Sequence, residues 1–322
     1  MNLALAVDVG ASKIALAMVD GCGRVLRRAQ LATPSDRTGE QIWSATAEVA
    51  ATLLATVGPA PLVGIGIASA GPLDPVAGTV SPNMIPAWRD FPIVERARRL
   101  AGGTPVRLIG DGVCAAIGEH WAGAGKGQRD MLGMVVSSGI GGGLVLDGVV
   151  RVGPTGNAGH VGHVVLDPDG PPCSCGGRGC AELVGSGPSM VSWALRSGWQ
   201  PDTGVQPTAV DLAASARAGD PLARAAFDRG ARAVAATIAS VAAVCDLDLV
   251  VVGGGVAAAG DVLFDTLRKS LAEFTGLGFV SRVRVEPAAL GNDAGLVGAA
   301  ALIHRSTDYR LQLDHANRGR VS

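Results

Sequence analysis

Aromatic side chains are scarce in this sequence: five Phe, five Trp and one Tyr make up 3% of 322 residues. A core built around large rings is therefore excluded, and the abundant Ala and Gly point to tightly packed helices and glycine turns instead. An excess of either charge is also lacking. The 27 Lys and Arg balance 28 Asp and Glu, for a net charge of -1, so no electrostatic field calls for nucleic acid or an anionic membrane as partner. Charged residues amount to only 17% against 48% hydrophobic, which argues against disorder and supplies ample core. No apolar run is long enough to span a bilayer: the longest, Ala233 to Cys245, contains Thr237 and Ser240 and stops at Asp246. The N-terminal run Leu3 to Val7 has no basic region before it and meets Asp8 at once, so it reads as a strand, not a signal peptide, and a cytoplasmic protein is expected. Missing too are a Walker-type loop and a G-x-G-x-x-G fingerprint, which removes the two commonest nucleotide sites.

What is present divides into two similar halves. Apolar runs at 3–9 and 14–19 flank Gly10-Ala11-Ser12-Lys13, a strand–turn–strand pattern. A helix is expected over 40–57, a buried strand over Leu62 to Ile67, and a loop punctuated by Gly and Pro over 71–92, long enough to carry function. A basic helix near 93–101 leads to the strand Val106 to Ile109, with Asp111 at its C-terminal end and a helix over 113–121. The design then repeats: strand Met131 to Ser137, turn Gly139 to Gly143, strand Leu144 to Leu146. A Gly/Pro/Cys-rich loop covers 153–180, followed by helices near 186–197, 208–216 and 221–244. The strand Leu247 to Val252 runs into Gly253-Gly254-Gly255, and a last Ala-rich helix ends near 304. Two glycine hairpins, each opening an α/β half, imply an internally duplicated fold with nucleotide bound in the cleft between halves.

Four constellations carry chemistry. In Asp8-Val9-Gly10-Ala11-Ser12-Lys13 a tight turn offers backbone N–H groups, a hydroxyl and an ammonium to a phosphate, while Asp8 is placed to hold Mg²⁺ through water. An ordinary hairpin with a polar turn has the same look. In Ser138-Gly139-Ile140-Gly141-Gly142-Gly143 the glycines weaken a strand, so close backbone approach is the expected reason, with a phosphate cradle or a glycine bulge as the two readings. Gly254 and Gly255 form a third such turn. Of six cysteines, three crowd into eight positions, and His163 with Cys173, Cys175 and Cys180 supplies three thiolates and one imidazole. That set fills a tetrahedral Zn²⁺ with no open position, the mark of a structural ion, and such an ion contributes on the order of 10 kcal/mol of folding energy. Cys22, Cys114 and Cys245 lie singly among apolar residues and read as core. Asp111 reads equally as a cleft carboxylate and as a helix N-cap.

The three glycine turns in order resemble the actin/hexokinase/Hsp70 superfamily, in which two phosphate loops and an adenosine loop line one cleft. A narrower resemblance follows from Gly156-Asn-Ala-Gly159-His160-Val-Gly162-His163 and, ten residues on, Cys-x-Cys-Gly-x-x-Gly-Cys-x-Glu over 173–182. Together with Asp8–Lys13, Gly64–Gly71, Asp111–Glu119, Ser138–Gly143 and Gly253–Gly255 in matching order, these residues identify the chain as similar to the ROK family (repressors, open reading frames, kinases) from residue 3 to about 304. The resemblance implies an actin-like (ribonuclease H-like) α/β fold of two lobes, 1–115 and 116–295, with the helix 296–304 packing back on the first and a zinc loop over 160–182; the tail 305–322, polar and without period, reads as frayed or disordered. It also implies an ATP-dependent, cytoplasmic sugar kinase that uses Mg²⁺ with ATP, carries a structural Zn²⁺ and forms a homodimer.

Carried over residue by residue, the likeness makes Asp111 the base that takes the proton from a sugar 6-hydroxyl. Asp8 to Lys13, Ser138 to Gly143, Gly254 and Gly255 would hold ATP. His163 would ligate zinc and orient the sugar loop, Glu182 would bond a ring hydroxyl, and Asn83 would lie on the sugar side. Two departures bear on the substrate. The family's Asn-Asp-x-Asn reads Gly110-Asp111-Gly112-Val113, and His160 replaces the Glu of Glu-x-Gly-His. A His-x-x-His pair is similar to bacterial N-acetylmannosamine kinases, as is Ile67-Ala-Ser-Ala-Gly71, so an N-acylhexosamine is expected as acceptor, with glucose as the alternative. A pseudokinase is a further reading, prompted by Gly110 and Val113. A repressor of this family is not expected, because its helix-turn-helix domain would have to precede the turn at residue 8.

Overall fold

Leu3–Val9 and Lys13–Asp20 are nearly unbroken apolar runs, and both become strands, β1 and β2, buried along almost their whole length. The computed structural model describes residues 2–309 apart from 11, 34–36, 59 and 202–204. In chain order β3 (Val25–Ala32), α1 (Gly39–Thr56), β4 (Leu62–Ser69), the short β5 (Leu73–Asp74) and β6 (Thr79–Val80), α2 (Ile93–Arg98), β7 (Val106–Gly110) and α3 (Asp111–Ala122) come next. They are followed by β8 (Met131–Val136), β9 (Ile140–Leu146), β10 (Val149–Arg151), α4 (Glu182–Gly185), α5 (Gly187–Arg196), α6 (Ala209–Arg217) and α7 (Pro221–Cys245). The remainder is β11 (Leu249–Gly253), α8 (Asp261–Phe274), α9 (Gly278–Ser281), β12 (Arg284–Pro287) and α10 (Ala294–His304). Two five-stranded sheets result, ordered β3-β2-β1-β4-β7 and β10-β9-β8-β11-β12. The same order in each is the α/β duplication that the repeated hairpins imply.

The chain divides into two compact units. One takes in Met1–Arg129, Gly143–Gly159 and Leu290–Ser322, less the residues outside the description; the other takes in Asp130–Gly142 and His160–Ala289.

In the first unit β1 pairs antiparallel with β2 and parallel with β4, which pairs parallel with β7. A capping box starts α1: Gln41 N–H donates to Thr38 Oγ1 (3.3 Å) and Thr38 N–H to Gln41 Oε1 (2.9 Å). The few aromatics are concentrated where a loop needs an anchor. Trp88 and Phe91 stack at 4.8 Å, and Trp88 Nε1 donates to Gly39 O at 3.0 Å, which pins the 71–92 loop against α1. Helix α10 packs on α3, β4 and β1 at backbone distance. A Cβ at Gly298 would overlap Cys114 O, one at Gly118 would overlap Ala294 O, and one at Gly66 would overlap Ala299 O. Glu119 is buried on α3 and accepts from Ala124 N (2.9 Å) and Leu290 N (2.8 Å), tying the end of α3 to the approach to α10.

The second unit is built on the parallel trio β8, β11 and β12. Its longest helix, α7, starts at the N-cap Asp220 with Pro221 next and stops where Asp246 turns left-handed at φ 51. That helix accounts for the longest apolar run, and no helix among the described residues is long and apolar enough to cross a membrane.

Several sequence expectations change here. The expected lobe boundary at 115 would cut α3 in two; the whole helix stays with the first unit because its glycine face rests on α10. Residues 305–309, expected to fray as part of the tail, are held: Tyr309 is buried and its hydroxyl lies 2.8 Å from His120 Nδ1. The rest of the expected tail, 310–322, lies outside the described residues. Cys22, read as core, is exposed in the turn after β2. Gly141 to Gly143, read as a turn, belong to β9, and the turn itself is Ser137 to Gly139. Glycine is needed in that strand for proximity: Cβ atoms at Gly142 and Gly143 would lie 2.6 Å from Gly133 O and 2.7 Å from Val113 Cα.

Gly298→Val drives a side chain into the α3 backbone, so it is expected to lower stability by about 3 kcal/mol in urea titration. Gly276→Ala, whose Cβ meets nothing within 4 Å, is the matched control and should stay within about 0.5 kcal/mol of wild type.

Candidate active site and metal centre

In the first unit the register of three parallel strands decides which residues share an edge. Val9 lies opposite Ser69, and Ser69 opposite Gly110, so β1, β4 and β7 end level. Ligands of open α/β sheets collect at such carboxyl ends. Beyond β1 the turn closes by Gly10 N–H donating to Lys13 O (3.0 Å), and Thr33 braces it with bonds to Ser12 O (3.0 Å) and Gly10 O (3.2 Å). Ser12 and Lys13 are exposed there, a hydroxyl and an ammonium at the sheet edge. Ala11, also expected to hold ATP, lies outside the described residues. Beyond β7 comes Asp111, exposed as the first residue of α3, with Oδ1 accepting from its neighbour Gly112 N at 2.7 Å.

Asp8 is the half-buried member of the group. Gly295 in the first turn of α10 admits its carboxyl, since a Cβ there would lie 2.5 Å from Asp8 Oδ2. Burial first, and the charge of Asp111 second, push Asp8 up to about 7, with Lys13 and Arg28 pulling the other way. The same two carboxylates add to burial in raising the Cys114 thiol, one turn along α3, which keeps it an inert core residue. Two acids thus sit near each other in unlike surroundings, one exposed and one shielded.

Asn83 is exposed on the 71–92 loop, between the buried Val80 and Ile85. A residue with no role in the sequence reading also touches that loop: Asn157 Nδ2 donates to Thr155 O (2.9 Å) and reaches Leu73 O at 3.4 Å. It fastens the glycine-rich stretch 153–159 to β5. Its signal was an amide inside a glycine-rich stretch, read only as part of a motif.

In the second unit β8 and β11 are parallel neighbours, with Gly253 opposite Val135, and their carboxyl ends bring two glycine turns together. Val256 N–H donates to Val136 O at 3.0 Å. Gly254 has φ 92, and a Cβ on it would overlap the same Val136 carbonyl, so only glycine fits. Gly255 faces Ser137 Oγ. Glu182, expected at a sugar hydroxyl, reaches the other turn: its Oε2 accepts from Ile140 N at 2.7 Å, and a Cβ at Gly139 would lie 2.6 Å from that oxygen.

The cysteine loop follows. His163, Cys173, Cys175 and Cys180 present ligand atoms that all lie within 4.8 Å of one another. Cys175 Sγ is 3.8 Å from Cys180 Sγ, and Cys173 Sγ is 3.9 Å from His163 Nδ1. Tetrahedral Zn²⁺ with bonds of about 2.3 Å to sulfur requires sulfurs about 3.8 Å apart, so the residues fit that ion. Burial and the neighbouring Cys173 and Cys175 push Cys180 up to about 12, whereas Gly177 N–H, donating to Cys175 Sγ, lowers Cys175. Thiols so crowded ionise together only around a cation. His160 is exposed outside this set, its ring nearly parallel to that of His163 with centroids 6.3 Å apart.

Comparison with known proteins gives a consistent picture. The model of the ROK family matches residues 4–306. A glucokinase of Thermotoga maritima is 32% identical over 313 residues, 93% of this chain and 96% of its own length. An N-acetylmannosamine kinase of Yersinia pestis is 35% identical over 300 residues, 93% of this chain and 98% of its own. Among solved structures, a ROK family glucokinase from Streptomyces griseus in complex with glucose and AMPPNP superposes with a TM-score of 0.82 at 33% identity, covering 94% of this chain and 99% of that one.

Two outcomes are expected from this geometry. Below pH 3.8 Asp8 is neutral in the folded and the unfolded chain alike; between 3.8 and about 7 only the unfolded chain loses the proton, so stability falls with rising pH and levels off above that. Asp8→Asn is therefore expected to melt on the order of 5 °C above wild type near pH 8 and close to it near pH 4, as read by calorimetry. Metal analysis of the purified protein should find about one zinc per chain, and Cys180→Ser should lose it with a lowered melting temperature.

Proposed function

Because the chain belongs to the ROK family and is an ATP-dependent sugar kinase, we propose that its acceptor is an N-acylhexosamine, N-acetylmannosamine first, phosphorylated on the 6-hydroxyl. The observation that carries this reading is His160. It is an exposed imidazole set beside His163 of the Cys₃His cluster, and an imidazole can donate to an acetamido carbonyl where a carboxylate only accepts. The relative named N-acetylmannosamine kinase, at 35% identity, supports it. Glucose is the second reading, supported by relatives named glucokinase at 32% and 35%.

In the proposed reaction the sugar oxygen attacks the γ-phosphorus, the bond to the β–γ bridging oxygen breaks, and ADP leaves. Asp111 accepts the hydroxyl proton as the new bond forms. The turn at Gly10, Ser12 and Lys13 and the turn at Ser138–Gly139 would supply donors to the phosphates, and Asp8 would hold the Mg²⁺ of the Mg·ATP substrate. His163, Cys173, Cys175 and Cys180 would hold the zinc ion, whose part would be structural, fixing the loop that carries His160 and leads to Glu182. The family's amides flanking the base are absent here. Gly110 leaves room beside Asp111, for a Cβ there would meet only Val113 Cγ2 at 3.9 Å, which suits an acceptor bulkier than glucose. The expectation of a homodimer rests on the resemblance, and that of a cytoplasmic protein on the N-terminal run Leu3 to Val7 as well.

A coupled assay with N-acetylmannosamine, N-acetylglucosamine, glucose and mannose tests the substrate; turnover of glucose alone would reject the N-acyl reading. Asp111→Asn should lower kcat at least about a hundredfold with every acceptor while nucleotide affinity is retained.

A further inference from the structure

The stretch that follows the cysteine loop grips the Ser137–Gly139 turn at both ends. Gly187 N–H donates to Ser137 O at 2.8 Å, and Ile140 N–H donates to Glu182 Oε2 at 2.7 Å. Between those two bonds lie Ser138 and Gly139, two of the residues placed at the ATP phosphates. The gripping residues are themselves well held. Ala181 N–H donates to Val164 O (2.9 Å), Cys180 bridges to Val165, and Ser189 Oγ donates to Glu182 O (3.0 Å). The fit around the carboxylate is close on the turn side, where Gly139 leaves the space that a Cβ would take from Oε2.

A sugar contact does not explain this arrangement. A carboxylate that only met a ring hydroxyl would need no backbone N–H of the neighbouring turn and no glycine at 139. A carboxylate acceptor on one amide, 42 residues away in sequence, instead adds to the turn's own bond from Ser137 N–H to Gly139 O (2.8 Å) and restricts the turn to one conformation before any ligand arrives. We infer that Glu182 is a positioning residue for the nucleotide, holding the Ser137–Ile140 turn in its phosphate-ready form through Ile140 N–H, so that the metal loop governs the nucleotide site as well as the sugar side. The inference rests on the reading of this turn as a phosphate site.

The test is Mg·AMPPNP affinity measured by calorimetry with no sugar present, a readout that a sugar contact would leave alone. Glu182→Ala is expected to weaken it about tenfold. Glu182→Gln, whose amide oxygen still accepts from Ile140, should stay within about threefold of wild type. Gly139→Ala, which pushes the carboxylate away without altering it, should reproduce the loss, and the double variant Gly139→Ala/Glu182→Ala should be no weaker than either alone. Should Glu182→Ala fail to fold, Gly139→Ala and Glu182→Gln carry the comparison. Unchanged or tighter nucleotide binding in Glu182→Ala and Gly139→Ala overturns the inference. Hydrogen exchange separates the two levels: if AMPPNP fails to protect residues 137–143 of wild type, the phosphate reading falls and takes the inference with it; if it protects them and the variants bind normally, only the inference fails.

Discussion

Two carboxylates occupy the same sheet edge of the first unit, and their unequal surroundings shape much of what lies near them. Asp8 retains its proton to about pH 7 because burial and the charge of Asp111 both oppose ionisation. Such a pair is unfavourable for the folded state and persists only where the surrounding structure fixes it. Here the fixing is done by register and by close packing. Three parallel strands end level, α3 begins at Asp111, and α10 sets Gly295 against Asp8. Lys13 and Arg28 offset part of the repulsion, and a phosphate-bound magnesium ion would offset more.

The scarcity of aromatic residues has a structural counterpart in the way these helices meet. Glycine and alanine on α3, β4 and α10 let carbonyl groups sit where side chains would otherwise stand. A core of this kind gains from many close contacts between small groups, not from a few large rings. It leaves little tolerance for enlargement at the contact points, while the loop that carries Asn83 takes its anchorage from Trp88 and Phe91.

Much of this was legible in the sequence, for physical reasons that differ by feature. The strands β1 and β2 announced themselves as apolar runs, and the Cys-x-Cys spacing with His163 encoded its own geometry, since ligands of one ion must converge. The glycines of 139–143 were legible as a demand for close approach but not as to its kind: periodicity cannot tell a turn from a strand pressed against Gly133 and Val113. Three other features depend on partners distant in sequence. Glu119 meets Leu290, Glu182 meets Ile140, and Tyr309 meets His120. No local pattern marks such pairs. The domain boundary at 115 failed for the same reason, because what keeps α3 whole is a helix that arrives almost two hundred residues later.

That late arrival bears on how the polypeptide is made. The opening sheet and α3 leave the ribosome long before residues 294–304 exist, so the nascent first unit presents Gly66, Gly118 and the Cys114 backbone to water until α10 is synthesised. Its closure joins segments as far apart in sequence as Gly66 and Ala299, an arrangement that delays the first unit's final collapse until α10 has emerged. In the interval the second unit, complete by Ala289, has every segment it needs to assemble. Biogenesis would then run counter to sequence order, with the first unit the last to mature.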